Sequence, residues 1–184
     1  KSYPISSDNT QITLDSTSKE ITYGDSITLK ASVTSDTPQT VTWKSSNTAV
    51  ATVKDGVVTA TGKGTAKITA SLPNGRSAVC TVKVTTKKLP TSGCSYASTA
   101  QYTGSAIIPT VTVKDGSKVL RQNIDYRVIV TNNVKIGHAN ITISGMGNYY
   151  GSYSAGFDII PAKQTIQKLE TRYKGFFVDW AQKG

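Results

Sequence analysis

Residues 43–84 read WKSSNTAVATVKDGVVTATGKGTAKITASLPNGRSAVCTVKV. Apolar and polar residues alternate in short runs, as at Ala66, Ile68 and Ala70, and turn residues such as Asp55-Gly56 separate the runs. Such alternation places apolar side chains on one face of a strand, and a turn about every 8–12 residues is typical of β-sandwiches. The stretch therefore predicts a sheet with one buried face.

The same pattern extends to both sides of this stretch. Upstream, Ile27, Leu29 and Ala31 alternate with polar residues, so residues 1–86 are predicted to form one all-β domain. Downstream, residues 87–93 read KKLPTSG, which is polar, lacks alternation and contains a proline. This composition predicts a short linker between two domains.

A second set of predicted strands follows the linker. Val111, Val113 and Ile141 belong to alternating runs that turn residues separate, and these runs predict a second all-β domain over residues 94–162. No segment has a convincing helical period. Residues 163–184 are too few to bury a core of their own.

Four short elements carry a resemblance to a known family. The elements W-x-S-S-N, V-A-T-V, G-x-V-T-A and G-x-G-T-A-x-I-T-A follow one another in this order from Trp43 onward. In this order and spacing, residues 9–86 resemble the bacterial immunoglobulin-like (Ig-like) domain of group 2. The resemblance implies structural roles: Trp43 as a core residue, Gly62 and Gly64 as a tight turn, and Cys80 as an inward residue of the last strand.

The rest of the chain carries two further resemblances. YTGSAIIPTVTVKDG, NIDYRVIVTNN and GHANITISGMGNYYGSYSAGFDI occur between residues 102 and 159, and residues 89–162 are thereby similar to a second Ig-like repeat of bacterial cell-surface proteins. Residues 163–184 resemble the opening strands of a fibronectin type III domain, with Trp180 in the place of the core tryptophan. The resemblances imply an all-β chain of tandem Ig-like β-sandwich domains joined by a short linker, followed by an incomplete fibronectin type III-like segment.

The composition leaves little material for catalysis. The 184 residues include one histidine, one methionine and 11 acidic residues, and they contain neither a G-x-S-x-G elbow nor the alternating acids of a calcium loop. We therefore expect no enzyme activity, no metal and no cofactor. The net charge of +10 comes mainly from scattered lysines, which are typical of a solvated surface and argue against nucleic-acid binding. No run of 18 apolar residues occurs, so we expect no insertion into a membrane.

The two cysteines, Cys80 and Cys94, lie on either side of the predicted linker. In an extracellular protein they could form a disulfide bridge. Alternation directs Cys80 into the core of the first domain together with Val82 and Val84, and a bridge would draw it out of that core. We favour two unpaired thiols.

Tyrosines are concentrated at Tyr149, Tyr150 and Tyr153. Tyrosine rings on a flat sheet can stack on sugar rings, so Tyr150 and Tyr153 are candidate ligand-binding residues. The alternative is core packing, because cross-strand aromatic pairs stabilise hairpins. Alternation places Tyr149 and Tyr153 on one side of the strand and Tyr150 on the other, which makes Tyr150 the first residue to test.

These patterns and resemblances predict a non-catalytic spacer segment of a secreted or cell-surface bacterial protein, which presents or spaces other modules for cell adhesion or polysaccharide utilisation. The alternative is a binding module, either an adhesin that contacts a host protein or a carbohydrate-binding accessory domain. The expected partners are neighbouring modules of the same parent protein, with cell-wall or host glycans or proteins as further candidates. The resemblance implies an extracellular location at the cell wall of a Gram-positive bacterium.

The first and last residues suggest a piece of a longer protein, because the sequence begins without Met. We expect a monomer. Residues 164–184 contain Phe176, Phe177, Val178 and Trp180, which would be an aggregation hazard if they were exposed together. We therefore expect this tail to pack on the second domain, or on a second copy of the chain by strand exchange.

Overall fold

The computed structural model describes residues 9–163, which form 18 strands and no helix. The first nine strands form the first sandwich: β1 Gln11–Leu14, β2 Ser18–Thr22, β3 Ser26–Thr28, β4 Ala31–Thr34, β5 Thr42–Ser45, β6 Ala51–Lys54, β7 Val57–Ala60, β8 Gly64–Ser71 and β9 Ser77–Thr85. The other nine form the second: β10 Lys87–Lys88, β11 Cys94–Ser95, β12 Thr99–Gln101, β13 Thr112–Asp115, β14 Lys118–Val119, β15 Tyr126–Thr131, β16 Gly137–Gly145, β17 Tyr149–Tyr150 and β18 Ser152–Ile160.

The first sandwich packs a four-stranded sheet, in the order β2-β9-β8-β5, against a three-stranded sheet, β3-β7-β6, with β1 and β4 forming a separate pair. Its pairs are antiparallel except for β2 and β9, which run parallel with Thr22 opposite Thr85. The alternation in the sequence sets the core: Ile68 of β8 pairs with Cys80 of β9, and neither side chain is exposed. Leu29 and the β7 side chains cover them from the other sheet.

The second sandwich repeats this plan. A four-stranded sheet, β12-β18-β16-β15, faces the three-stranded sheet β11-β13-β14, and β12 runs parallel to β18. The core contains Val113, Ile141, Ile143 and Phe157, which are all fully buried. The two sandwiches thus place a parallel strand pair, β2 with β9 in the first and β12 with β18 in the second, at the same edge of their larger sheets.

Residues 87–93, predicted to be a linker, belong instead to the second sandwich. Lys87–Lys88 forms β10 and pairs with β17, and Leu89 is only 3% exposed in the second core. Thr86 alone separates β9 from β10. The sequence pattern missed this arrangement because a two-residue strand of lysines has no alternation to detect.

Within the described range the chain contains no helix long and apolar enough to cross a membrane. The fibronectin type III-like segment predicted for residues 163–184 and the predicted packing of the tail lie outside the described residues, apart from Lys163.

Candidate functional site at the junction between the sandwiches

The junction between the two sandwiches brings polar and aromatic side chains together. We define it by seven residues: Tyr23, Lys63, Lys87, Asp115, Lys118, Asn148 and Tyr149. It begins where the chain passes from the first sandwich to the second. There the Lys87 amide donates to the Asn148 carbonyl at 2.9 Å, and the Leu89 amide donates to the Tyr150 carbonyl at 2.9 Å. The chain therefore enters the second sheet system directly after leaving the first.

An aromatic contact joins the two sandwiches. The rings of Tyr23 and Tyr149 meet edge to face, with their centroids 5.5 Å apart and their planes at 81°. Lys118 Nζ lies 5.1 Å from the Tyr23 ring centroid and donates a hydrogen bond of 2.6 Å to the Tyr23 hydroxyl. Edge-to-face rings and a cation near a ring face are both attractive arrangements, so these contacts favour one relative orientation of the sandwiches.

A carboxylate organises the polar side of the junction. Lys87 Nζ lies 2.8 Å from both carboxylate oxygens of Asp115, and the Tyr149 hydroxyl donates to Asp115 Oδ2 at 3.1 Å. Partial burial opposes ionisation of Asp115, but these two hydrogen bonds and the charges of Lys87 and Lys118 outweigh it and lower its pKa. Burial and the Asp115 carboxylate raise the pKa of Tyr149, so the phenol stays protonated and acts as a donor.

The glycine turn of the first sandwich supplies the third contact. The Lys63 amide donates to Asn148 Oδ1 at 2.8 Å. A Cβ at Gly62 would lie 2.5 Å from the Ala49 carbonyl oxygen, and Gly64 has a φ of +144°. The bend therefore depends on two glycines, one for close backbone approach and one for its conformation.

An open cleft of about 590 Å³ lies beside these contacts. Its polar groups include Lys87, Asp115 and Lys118, which already engage one another or the two tyrosines. Among residues 9–163 no group of three or more His, Cys, Asp or Glu side chains could hold a metal ion. The arrangement is suited to holding two modules together.

The predicted structural residues have these positions. Trp43 is half-buried on β5 and packs against both hydrophobic clusters of the first sandwich, and Cys80 is fully buried on β9. Gly62 and Gly64 flank the bend that leads into β8. Cys80 and Cys94 are both free thiols, and burial raises the pKa of Cys80.

The two candidate ligand-binding tyrosines do not form one surface. Tyr150 is 52% exposed, whereas Tyr153 packs against the second core and its hydroxyl is buried without a hydrogen-bond partner among the described residues. Burial and the neighbouring Cys94 thiol raise the pKa of Tyr153. Only Tyr150 presents a ring to solvent for stacking.

The sequence analysis named Tyr149 in the tyrosine cluster and placed Lys87 in a linker, but it did not bring the seven junction residues together. Tyr23 and Tyr149 lie far apart along the chain, and Asn148 reads as an ordinary turn residue in Gly147-Asn148. The available signal was weak: Tyr23-Gly24 shortly before a predicted strand, and an Asp-Gly turn at Asp115.

A known family matches the first part of the chain. Residues 8–82 match the family described as bacterial Ig-like domain (group 2), which covers nearly all of the first sandwich. This match and the paired sheets confirm the predicted fold class, an all-β protein of Ig-like β-sandwich architecture.

Parts of the chain are also similar to individual proteins. Lacto-N-biosidase of Bifidobacterium bifidum is 57% identical over 51 residues, which make up 27% of this chain and 5% of that protein. The Yersinia pseudotuberculosis adhesin InvE is similar with a TM-score of 0.36 and 14% identity, over 82% of this chain and 59% of that one. The titin Ig tandem domains A164-A165 have a TM-score of 0.33 and 14% identity, over 84% and 99% of the two chains.

Proposed function

We propose that this chain is a non-catalytic spacer of a secreted or cell-surface bacterial protein, in which two Ig-like modules hold their neighbours at a fixed geometry. In this proposal the second sandwich is a further Ig-like repeat, and residues 163–184 begin a fibronectin type III-like module. The partners are the adjoining modules of the same protein.

The junction is the observation that carries the proposal. A spacer sets a distance and a direction only if its modules do not swing freely, and domains joined by a flexible linker do swing. Here a single residue, Thr86, separates the sheets, and three contacts cross from one sandwich to the other: the edge-to-face rings of Tyr23 and Tyr149, the hydrogen bond from Lys118 to the Tyr23 hydroxyl, and the hydrogen bond from the Lys63 amide to Asn148. Each adds resistance to rotation about Thr86. The pairing of β10 with β17 and the partly buried ion pair of Lys87 and Asp115 lie within the second sandwich and fix the chain that follows Thr86 to it.

The family match and the similarity to lacto-N-biosidase support the proposal that the chain is a module of a larger secreted or cell-surface protein. Domains of the matched bacterial Ig-like family are typically non-catalytic, and a short stretch of this chain is similar to part of a much longer glycosidase. A small module within a large extracellular enzyme or surface protein is the context that a spacer requires. Asp115, the carboxylate of the junction cleft, is held by Lys87 and Tyr149 and has a structural role.

Residual dipolar couplings measure this rigidity directly. In partially aligned wild-type protein, the backbone amides of both sandwiches should fit one alignment tensor. The double variant Tyr23→Ala, Asn148→Ala should require two tensors, because it removes the ring contact and the hydrogen bond to Lys63. Tyr150→Ala, next to Tyr149 but facing solvent, is the matched control and should keep one tensor. Two independent tensors in the wild type would refute a rigid spacer.

The second candidate is a carbohydrate-binding accessory module, and the exposed ring of Tyr150 is the observation in its favour. An aromatic face on a sheet edge can stack on a pyranose ring. A glycan array at high protein concentration tests this candidate. Reproducible binding that Tyr150→Ala abolishes, and that Tyr102→Ala retains, would establish a ligand site and displace the spacer function.

A further inference from the structure

The two sandwiches end in the same local structure. In the first, the amide of Tyr23, directly after β2, donates to the carbonyl of Thr85, the last residue of β9, at 2.9 Å. In the second, the amide of Tyr102, directly after β12, donates to the carbonyl of Ile160, the last residue of β18, at 2.8 Å. Tyr102 is therefore the positional equivalent of Tyr23.

The glycine turns are equivalent as well. Gly64 is the first residue of β8, and Gly137 is the first residue of β16. Each glycine pairs with the penultimate residue of the last strand of its sandwich, and their φ angles are +144° and +128°. The residues before them, Lys63 and Ile136, therefore occupy the same position. In the first sandwich this position supplies the amide that binds Asn148 of the following module.

This end of the second sandwich is exposed and apolar. We define the distal pole by Tyr102, Ile108, Val134, Ile136 and Ile160, which are between 39% and 72% exposed. The two loops that supply its central residues are joined, because the Ile107 amide donates to the Asn133 carbonyl at 2.9 Å. The equivalent end of the first sandwich has its tyrosine half-buried against the second core. The distal pole thus has the geometry of a docked end, and no residue among 9–163 covers it.

We propose that the distal pole docks the segment that follows it, residues 164–184, as the first sandwich docks the chain that follows Thr85. The chain leaves β18 at Ile160, inside the pole, and reaches residue 164 after three further residues. A tethered segment this close has a high effective concentration at the surface. The segment also carries the matching chemistry, because Phe176, Phe177 and Trp180 are clustered apolar side chains.

Hydrogen exchange with mass spectrometry on the full chain tests this proposal. Peptides from residues 172–180 should exchange at least about tenfold more slowly than an unstructured chain, since docked amides are protected. Ile136→Asp should remove that protection, and so should Ile108→Asp. Ile124→Asp is the matched control, because Ile124 is 51% exposed and Ile136 is 55% exposed, but Ile124 lies at the opposite end of the second sandwich. Thermal unfolding verifies that all three variants fold.

Three outcomes would overturn the proposal. Unprotected tail peptides in the wild type would show that nothing docks, and protection that survives both pole variants would place the tail elsewhere. A dimer in sedimentation velocity that Ile136→Asp dissociates would identify a second copy of the chain as the occupant. None of these results bears on the first junction, so the proposed spacer function is tested separately.

Discussion

Tyr23 of the first sandwich and Tyr149 of the second meet edge to face across the junction, with ring centroids 5.5 Å apart. The Tyr149 hydroxyl also binds Asp115, whose carboxylate holds Lys87. The same side chain thus links the aromatic contact to the ion pair. Four predictions follow from this part of the molecule and from the first core.

The ring contact should appear as a coupling energy. A double-mutant cycle with Tyr23→Leu and Tyr149→Leu should give about 0.5–1.5 kcal/mol, the usual value of an edge-to-face pair beyond its buried area. The free energy of unfolding of each variant, from urea titration, supplies the cycle. If the two substitutions change the free energy of unfolding additively, the rings stabilise the protein only through the surface area that they bury.

The Asp115 ion pair should make stability depend on pH in the acid range. The folded pKa of Asp115 lies below its ordinary value of 3.8, so its contribution is present above that value and is lost as the pH falls through the lower folded pKa. Asp115→Asn should therefore destabilise the protein at neutral pH, and the difference from wild type should shrink below pH 3.8. Urea unfolding across this range is the measurement. Asp36→Asn, at an exposed turn, is the control, and a difference for Asp115→Asn that does not change with pH would contradict the prediction.

A substitution at Gly62 should disturb the hydrogen bond between Lys63 and Asn148 at the junction. Gly62→Ala places a Cβ against the Ala49 carbonyl and should cost about 1–3 kcal/mol, as overpacking does, while shifting the Lys63 amide away from Asn148. NMR chemical shifts of the Asn148 side-chain amide report the second effect. Gly75→Ala, at a φ of +86° with open space around it, should strain the backbone but leave those shifts unchanged. Unchanged Asn148 shifts in Gly62→Ala would refute the connection.

Trp43 should stabilise the first sandwich selectively. It packs between the two hydrophobic clusters there, so Trp43→Ala should cost about 3 kcal/mol, and Trp43→Phe should cost less. Native-state hydrogen exchange resolves the two sandwiches and should show the loss only in the first. A cost below about 1 kcal/mol would mark the ring as a surface feature.

The cores could be predicted from sequence because they follow a local rule. Alternation alone placed Ile68 and Cys80 inside, and Gly62 and Gly64 at the start of β8 marked a turn. The junction does not follow such a rule, because Lys87, Asp115 and Asn148 are polar residues in turns or apparent linkers, and their partners come from distant parts of the chain. Alternation also predicted that Tyr150 and Tyr153 lie on opposite faces, and the structure places Tyr153 against the core and Tyr150 in solvent. A pattern with period two identifies the face on which a residue lies, but it does not identify what that face meets.

The parallel pairing of β2 with β9, and of β12 with β18, gives the molecule a mechanical property. When the chain is pulled from both ends, tension passes β1 and its partner β4, reaches β2 and leaves the first sandwich through β9. The strands β2 and β9 run side by side in the same direction over five paired residues. Force then acts along the strands, so the hydrogen bonds between them are sheared together instead of being opened one after another. In the second sandwich, which the chain enters through β10, the strands β12 and β18 form the same kind of parallel pair over three paired residues. Two such parallel strand pairs, one after the other along the chain, would let it carry tension between its neighbours without lengthening.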